Sequence, residues 1–524
     1  HRDLHSFPTR RSSDLLDLIK ESLLLDPFSY GVLFEKYLLN QEEDVLDKMK
    51  KLMRGNIHTY MEFALDYGYA GLWDEAIRFI QTGIEGQGPG KVYPLAFYYK
   101  AWFEWKNGNT PLHAGDPLDS LRQASSASPD YCFPNQPEAV IILEWARKFM
   151  PSDPKAPYYL GNFHYNSREY EIAIKCWEDS VTLDDQFPTA HRNLALAYFN
   201  KENNTVKARL SLEKAFSLDR SDARIGMELD QLYKRLNHHP EMRWAFLEEN
   251  HPLVEKRDDL FLEKITLLNM KGMHEEAYRN IMSRKFHPWE GGEGKVSEQY
   301  VWSLTELAKK AIQSGNFPEA LSLLRQTRIF PENLGEGKLA VIQENDVNYL
   351  LGIILDKMGD KEGATQYWLK ASEGLEEPSL TMFYNDLQPD SIYYQGLALL
   401  RLGRTSLARK RFQQLIEYGD THLNDTIHID YFAVSLPDIL IWDDDLNARN
   451  RQMCLYLKAL GQLGLGNKEE AINLLSEVLR NNLYHKGAHI HFNDLKNNRD
   501  KALNPLVAQG MNQSEMVHLN DVKP

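Results

Sequence analysis

Apolar residues recur every three to four positions along most of this chain, the spacing that places them on one face of an α-helix. The pattern is most regular from Pro154 to Arg220, where it divides into two consecutive pairs of short helices. Small residues stand where paired helices must approach closely, and the larger Trp177 and Leu212 fill the space beside them. These small residues are Gly161, Ala173, Ala195 and Ala208. The stretch therefore predicts two helical hairpins in tandem.

A second pattern extends this prediction over the rest of the chain. If an alanine opens the second helix of a hairpin, the residue five positions earlier should be left-handed, a conformation that favours glycine. Such a glycine precedes an alanine at Gly71, Gly272, Gly315, Gly359, Gly403 and Gly466. Asn203 takes the place before Ala208, and asparagine is the next most suitable residue. Only Arg168, before Ala173, departs from the rule.

These hairpins resemble the tetratricopeptide repeat (TPR), a helix-turn-helix unit of about 34 residues. In the carboxyl-terminal half, however, successive alanines from Ala277 to Ala408 lie 43, 44 and 44 residues apart. Because the turns stay short, the extra residues must lie between one hairpin and the next, along one edge of the array. We therefore predict an all-α, TPR-like, right-handed helical-hairpin solenoid with ordered loop insertions on one edge.

The insertions carry a second resemblance. The phrases PWEGGEGKV, PENLGEGKL, QENDVNY, DYFAVSLPD and ALGQLGLGN resemble large bacterial proteins that contain a domain of unknown function, family 5107. The resemblance covers most of residues 130–492. It implies a mutarotase-like β-sandwich followed by a TPR region, of which only the second part is present here. The resemblance implies architecture rather than a particular chemistry.

The chain is expected to divide into several segments. Residues 1–15 look like a common sequencing adapter translated in frame, so we expect an artefact there and a missing native amino terminus. Three segments should be folded, namely 16–153 with degenerate TPR-like hairpins, 154–256 with the central TPR pair and the following helices, and 257–492 with the repeats that carry insertions. Residues 493–524 are expected to form a tail.

Charge and cysteine content narrow the partners and the compartment. Without residues 1–15, 57 basic and 73 acidic side chains remain, a net charge of −16 that argues against nucleic acid. The three cysteines are far apart and show no CxxC spacing, which suits a reducing compartment. Apolar runs are much shorter than the ~20 residues of a membrane helix. We expect a cytoplasmic protein, although a signal peptide in the missing amino terminus stays open.

Motifs that suggest chemistry are weak. Gly-Glu-Gly-Lys occurs twice, but Val296 and Leu339 stand where a phosphate-binding loop needs Ser or Thr, so structural turns are favoured. His485, His489 and His491 lack a carboxylate that completes a metal motif, so surface or packing roles are favoured. We therefore expect no catalytic residue, no cofactor and no metal site, and a protein that is not an enzyme.

Binding candidates fall into two groups. Those in the inner groove of the best repeats are Tyr158, Asn162, Tyr165, Arg192, Phe199, Asn345, Asp346 and Tyr349. Those on the insertion edge are Trp289, Glu290, Glu293, Lys295, Asn333, Glu336 and Lys338. Tyrosine and arginine are common at interfaces, but any wet helix face also needs polar residues, so both readings stay open. Asn345, Asp346 and Tyr349 are expected to share a crevice with Trp289.

Two functions follow from this pattern. The first is a non-catalytic interaction or scaffold module, a fragment of a larger bacterial protein, that binds a protein, a peptide or its own missing amino-terminal domain. The second is the helical accessory half of a carbohydrate-active, mutarotase-like or glycosidase-like enzyme whose catalytic domain is missing here, with carbohydrate as the ligand. A self-contained glycosidase would need two inward carboxylates at a defined separation, and no repeat shows a compelling pair. Neither nucleic acid nor a membrane is an expected partner.

Overall fold

The computed structural model describes residues 12–88, 90–108, 116–289, 291–340, 342–379, 388–428 and 441–508. These residues fold into helices joined by turns and loops, and they contain no strand. The chain divides into two compact units, unit 1 up to Leu218 and unit 2 from Asp219 onward. Within each unit, consecutive helices pair as hairpins, so the predicted all-α, TPR-like architecture is confirmed.

Unit 1 begins with a helix that is followed by hairpins of similar length. Its helices are α1 (Ser12–Leu25), α2 (Tyr30–Asn40), α3 (Glu43–Met53), α4 (Ile57–Tyr69), α5 (Trp73–Glu85), α6 (Pro94–Asn107), α7 (Pro117–Ser126), α8 (Pro137–Phe149), α9 (Lys155–Asn166), α10 (Tyr170–Leu183), α11 (Pro188–Asn200) and α12 (Thr205–Leu218).

Unit 2 has a wider range of helix lengths. Its helices are α13 (Ala223–Arg235), α14 (Pro240–Glu249), α15 (His251–Val254), α16 (Asp258–Met270), α17 (His274–Ser283), α18 (Lys295–Gln313), α19 (Phe317–Gln326), α20 (Asn345–Lys357), α21 (Lys361–Ala371), α22 (Asp390–Arg401), α23 (Thr405–His422), α24 (Leu446–Leu465), α25 (Lys468–Asn481), α26 (Lys486–Lys496), α27 (Asp500–Leu503) and α28 (Pro505–Ala508). A 3-10 turn spans Glu332–Leu334.

The turns between paired helices have the predicted left-handed residue. All six glycines have φ between 73° and 91°, and Asn203 has φ 52°. Arg168 also adopts the left-handed conformation, with φ 64°, although its side chain does not favour it. The alanine five positions later is fully buried in every case, at Ala76, Ala173, Ala208, Ala277, Ala320, Ala364, Ala408 and Ala471. The hairpin register predicted from the sequence is confirmed.

Close approach within a hairpin depends on the small residue of the first helix. A Cβ atom on Gly161 would lie 2.4 Å from Nε1 of Trp177, which is the aromatic residue that α10 places against α9. The indole nitrogen donates hydrogen bonds to the carbonyl of Tyr158 at 3.2 Å and to Asn162 at 3.1 Å. The same 16-residue offset joins Gly352 to Trp368 and Gly396 to Phe412 in unit 2. A glycine and a ring therefore form one steric pair in each of these hairpins.

Some of the features expected from the sequence lie outside the described residues. These are the first eleven residues, Glu290, and the insertion at 430–437 with Phe432. Residues 493–508, expected as part of a tail, are instead folded, and Asn504 is fully buried. Among the described helices, none is both long and apolar enough to cross a membrane.

We expect Gly359→Val and Gly403→Val each to lower the free energy of unfolding by roughly 1–3 kcal/mol, because a β-branched residue is strained at positive φ. A Cβ at either position meets nothing within 4 Å, so the loss reports backbone strain rather than a clash. Urea denaturation of the purified variants measures it. Gly403→Asn is the matched control and should lose less, since Asn203 occupies the equivalent position. Equal stability of the Val variants and wild type would contradict the proposed role of these turns.

Candidate ligand-binding site

The two insertions that share Gly-Glu-Gly-Lys pack against each other in unit 2. The carboxylate of Glu336 accepts hydrogen bonds from the backbone N–H groups of Gly294 at 2.7 Å and Ser297 at 2.9 Å. It therefore satisfies free donors at the amino terminus of α18. The carbonyl of Asn333 accepts a bond from the backbone of Phe286 at 2.8 Å. Glu336 and Asn333, two of the predicted edge residues, thus hold the two insertions together.

The other candidates on this edge have varied surroundings. Lys338 forms an ion pair with Glu344, directly before α20. Glu293 is exposed in the first insertion, and Lys295 is the first residue of α18. Glu290 lies outside the described residues. These side chains are distributed along the edge rather than gathered around one point.

Trp289 does not share a crevice with Asp346 and Tyr349, so that expectation is wrong. Trp289 and Leu334 line a cavity of about 310 Å³ on the insertion edge. Asn345 is buried and donates to the carbonyls of Ala371 and Glu373, both at 2.8 Å. Because these bonds fix the start of α20 against the end of α21, Asp346 and Tyr349 line a different part of unit 2.

In unit 1, three inner-groove candidates take part in packing. Oδ1 of Asn162 accepts hydrogen bonds from Trp177 within its own hairpin and from Asn193 on α11, both at 3.1 Å. Tyr158 is 4% exposed. Tyr165 is half-buried, with its ring 5.3 Å from that of Trp177. Asn162 therefore links two successive hairpins.

Arg192 and Phe199, the other two candidates in unit 1, are half-buried on α11. Nη1 of Arg192 donates to Asn193 at 3.3 Å, and Phe199 packs against the hydrophobic core. Phe199 thus contributes to the core, and both side chains remain partly exposed. The five unit 1 candidates are therefore only partly available to a ligand.

An aromatic cluster in unit 1 was not among the candidates. Trp102 and Trp105 on α6 meet Trp145 on α8, with both ring centroids 5.4 Å from that of Trp145. Phe149 stacks on Trp145 at 5.0 Å, and the ammonium of Lys106 lies 4.6 Å from the Trp102 ring. Trp105 is 41% exposed. The apolar pattern of α6 indicated its tryptophans, but their contact with α8 depends on tertiary packing.

The carboxyl-terminal segment, defined here as residues 486–508, packs on the inner face of unit 2. We define the inner face as the side of α18, α20, α22 and α24 that this segment covers. At its centre Lys309, 3% exposed, donates to Glu306 and to Asp494 of the segment, both at 2.8 Å. Arg499 of the segment donates to the same Glu306 at 2.8 Å. Although burial opposes a charge on Lys309, its two carboxylate partners raise its pKa.

The inner face also contacts backbone carbonyls of the segment. Nη2 of Arg401 donates to the carbonyl of Ala502 at 2.8 Å, and the Tyr349 hydroxyl donates to that of Leu503. Gln313 donates to the carbonyl of Asn497 at 3.3 Å. Hydrogen bonds to backbone carbonyls hold a chain whatever its side chains are. The buried charges of Lys309 and Glu306, by contrast, select particular residues of the segment.

The three histidines have structural contacts. Nδ1 of His485 accepts the backbone N–H of Ala488 at 3.1 Å and so caps α26. His489 lies 2.6 Å from the carbonyl of Leu483. The His491 ring is buried, with its centroid 5.3 Å from that of Tyr393. Among the described residues, no group of three His, Cys, Asp or Glu side chains converges on a metal position.

A cavity of about 290 Å³ remains between the segment and the inner face. Its charged and aromatic lining includes Glu298, Trp302, Glu306 and Lys309 of α18, Asp346 of α20, Asp390 and Tyr394 of α22, Tyr456 of α24, and His485, Lys486 and His491 of the segment and its cap. Each lining carboxylate therefore comes from the first helix of a hairpin. This cavity is the candidate site.

The electrostatics of the cavity are unusual at Asp390. Burial, together with the negative charge of Asp346, raises the pKa of Asp390 to about 6. Burial also raises the pKa of Asp346. By contrast, burial lowers the pKa of His485 to about 4 and that of His491 to about 3, so both rings are neutral at pH 7. The cavity lining therefore gains no positive charge from its histidines.

Consecutive helices paired through left-handed turns define a helical-repeat protein. Within that class, the family described as tetratricopeptide repeat matches residues 390–418, the region of the α22–α23 hairpin. This match lies in unit 2 and includes Asp390 and Tyr394 of the cavity.

Solved structures with some similarity include YrrB, described as a TPR protein with an unusual peptide-binding site. YrrB is 16% identical, with 43% of this chain and 96% of that chain covered and a TM-score of 0.27. A tetratricopeptide repeat protein from Parabacteroides merdae is 13% identical, with 57% and 98% covered and a TM-score of 0.24. Naa15/Naa10 bound to HypK is 9% identical, with 85% and 62% covered and a TM-score of 0.30. At these scores, the fold assignment rests on the hairpins themselves and on the TPR match.

We expect Asp390→Asn to change the pH dependence of stability. The folded-state pKa of about 6 lies above the ordinary 3.8, so wild type loses stability as the pH rises through this interval. Between pH 4 and pH 7.5, the free energy of unfolding should shift in favour of the variant by ~1–3 kcal/mol. Urea denaturation at both pH values measures the shift. Asp356→Asn, which removes an ion-pair partner of Lys361, should show no such pH-dependent shift in the free energy of unfolding. A pH-independent difference for Asp390→Asn would contradict a carboxylate that is partly buried and repelled by Asp346.

Proposed function

We propose that this protein is a non-catalytic binding and scaffold module whose repeat surface recognises a helical segment of a protein. The single observation that carries the proposal is the carboxyl-terminal segment on the inner face of unit 2. There the protein already holds a helical peptide, its own, through buried charges and carbonyl-directed donors. The same surface can receive a similar segment from another chain by exchange.

The contacts of the segment suggest what a partner must offer. Lys309 and Glu306 present one positive and one negative charge, and both are nearly inaccessible to water. A partner segment should therefore supply an acidic residue near the end of a helix and, five positions later in the following turn, a basic one, as Asp494 and Arg499 do. Leaving either buried charge unpaired would cost several kcal/mol, so the pair excludes most sequences.

The insertion edge supports a further part of this proposal. Trp289 is half-buried beside a cavity of about 310 Å³, which gives the edge a partly apolar surface. Docking of an amino-terminal domain of a longer protein on this edge is consistent with such a surface. A carbohydrate-active role gains no comparable support from the described residues.

The proposal predicts exchange between the segment and an added peptide. In the full chain, Asp494→Asn with Arg499→Gln weakens the segment in cis and leaves the inner face unchanged. A labelled synthetic peptide of residues 486–508 with the natural sequence should then bind at least about tenfold more tightly than it binds wild type, because removing one partner of a buried ion pair costs several kcal/mol. Fluorescence anisotropy measures the affinities.

Matched variants test whether the inner face is the site. Adding Lys309→Met should reduce peptide binding again, whereas Lys310→Met, which removes an exposed ion pair with Glu275, should not. A peptide with Asp494→Asn should bind more weakly than the natural one. Equal binding to the Lys309 and Lys310 variants would refute recognition at this surface.

A further inference from the structure

The cavity beneath the carboxyl-terminal segment contains more negative than positive charge once its ion pairs are assigned. Lys486 pairs with Glu298 at 2.8 Å, and Lys309 pairs with Glu306 and Asp494. Glu306 also receives Arg499 at 2.8 Å. Each cation that lines the cavity is therefore already matched by carboxylates.

The lining carboxylates that these ion pairs leave over are those of Asp346 and Asp390. Within the described part of the chain, neither forms an ion pair. Asp390 accepts a long hydrogen bond, 3.5 Å, from the Tyr456 hydroxyl and one from backbone, and Asp346 accepts one from the backbone of Val347. Both carboxylates lie in first turns of helices, which lowers but does not remove the cost of burying them. The charge of Asp346 raises the pKa of Asp390, so the two carboxylates repel each other within one cavity. Lys486 attracts both of them, but its ion pair is with Glu298.

A second and independent observation concerns Thr305 on α18. Its side chain lines the same cavity and is 7% exposed, yet its hydroxyl has no hydrogen-bond partner among the described residues. Buried hydroxyls are normally paired, because an unmade bond costs free energy. A hydroxyl without a partner, which can accept as well as donate, lies beside two carboxylates that lack an ion pair. This combination points to a ligand that brings N–H groups.

We propose that this cavity binds a small organic amine through its primary ammonium groups, with Asp346 and Asp390 as the counter-ions and Thr305 as a neutral acceptor. The aromatic walls are formed by Tyr394, Tyr456 and Trp302. These rings can pack against the alkyl part of such a ligand, and their faces attract its ammonium groups. This site is separate from peptide recognition on the inner face, because it requires the segment to stay in place.

Size and donor type restrict the ligand further. At about 30 Å³ per heavy atom, a cavity of 290 Å³ has room for roughly ten non-hydrogen atoms, enough for a short diamine such as 1,4-diaminobutane, which has about six. Two carboxylates match the two charges of a diamine better than one. A quaternary ammonium has no N–H to offer Thr305 and should bind less well. A divalent metal would require more donors, and the described residues provide no group of three.

The test uses the full wild-type chain and 1,4-diaminobutane in isothermal titration calorimetry at pH 8. We expect saturable binding with a stoichiometry near one and at least tenfold weaker binding of tetramethylammonium and of 1-aminobutane. At pH 5, protonation of Asp390 should weaken diamine binding about tenfold, since a group one unit below its pKa is about one-tenth ionised.

Variants locate the site. Asp346→Asn with Asp390→Asn should lose at least tenfold in affinity, while Asp356→Asn, on the same helix as Asp346 but outside the cavity, should match wild type. Thermal midpoints of both variants in the absence of ligand establish that they are folded. No heat of binding at about 10 mM diamine, or equal affinity of the cavity and control variants, overturns the proposal. Neither outcome affects the peptide-exchange result, which does not involve these aspartates.

Discussion

The close approach of the two helices in each hairpin is the constraint on which the rest of the structure depends. A glycine or alanine on the first helix leaves room for a ring or an alanine on the second, as Gly161 does for Trp177. The left-handed residue in the turn then reverses the chain without lengthening it. Arg168 adopts this conformation despite its side chain, so packing of the hairpin outweighs the local preference. Successive hairpins can then bury one apolar face against the next.

Buried charge determines how unit 2 ends. Lys309, Glu306 and Asp494 are almost inaccessible to water, so each must be paired with the others. Such a network contributes little net stability, because desolvation offsets most of the attraction, but it tolerates few alternative registers. It thereby fixes α26 at one position on the inner face. The carbonyl contacts of Arg401 and Tyr349 follow once that register is set.

The same arrangement explains why the cavity has its particular chemistry. The segment fills most of the inner face but leaves space beside the amino-terminal turns of α20 and α22. Those turns carry Asp346 and Asp390, which face the space without ion-pair partners. The inner face thus combines a helix held by complementary charges with a smaller region where complementarity is incomplete. The peptide recognition and the amine recognition that we propose draw on these two different regions.

The sequence alone determined the described helices, the hairpin register and the adjacency of the two Gly-Glu-Gly-Lys insertions, because these depend on local rules. Periodic apolar residues define faces, and a glycine five positions before a buried alanine marks each turn. The candidate site was only partly predictable. Asp346 and Tyr349 were identified from their groove positions, but Tyr349 is fully buried against the segment, and Trp289 lies beside a different cavity. Tertiary structure alone decided that Lys309 forms an ion pair with Asp494 and that the like charges of Asp390 and Asp346 meet across neighbouring hairpins. These side chains are far apart in sequence, and no periodicity records which buried charges will meet.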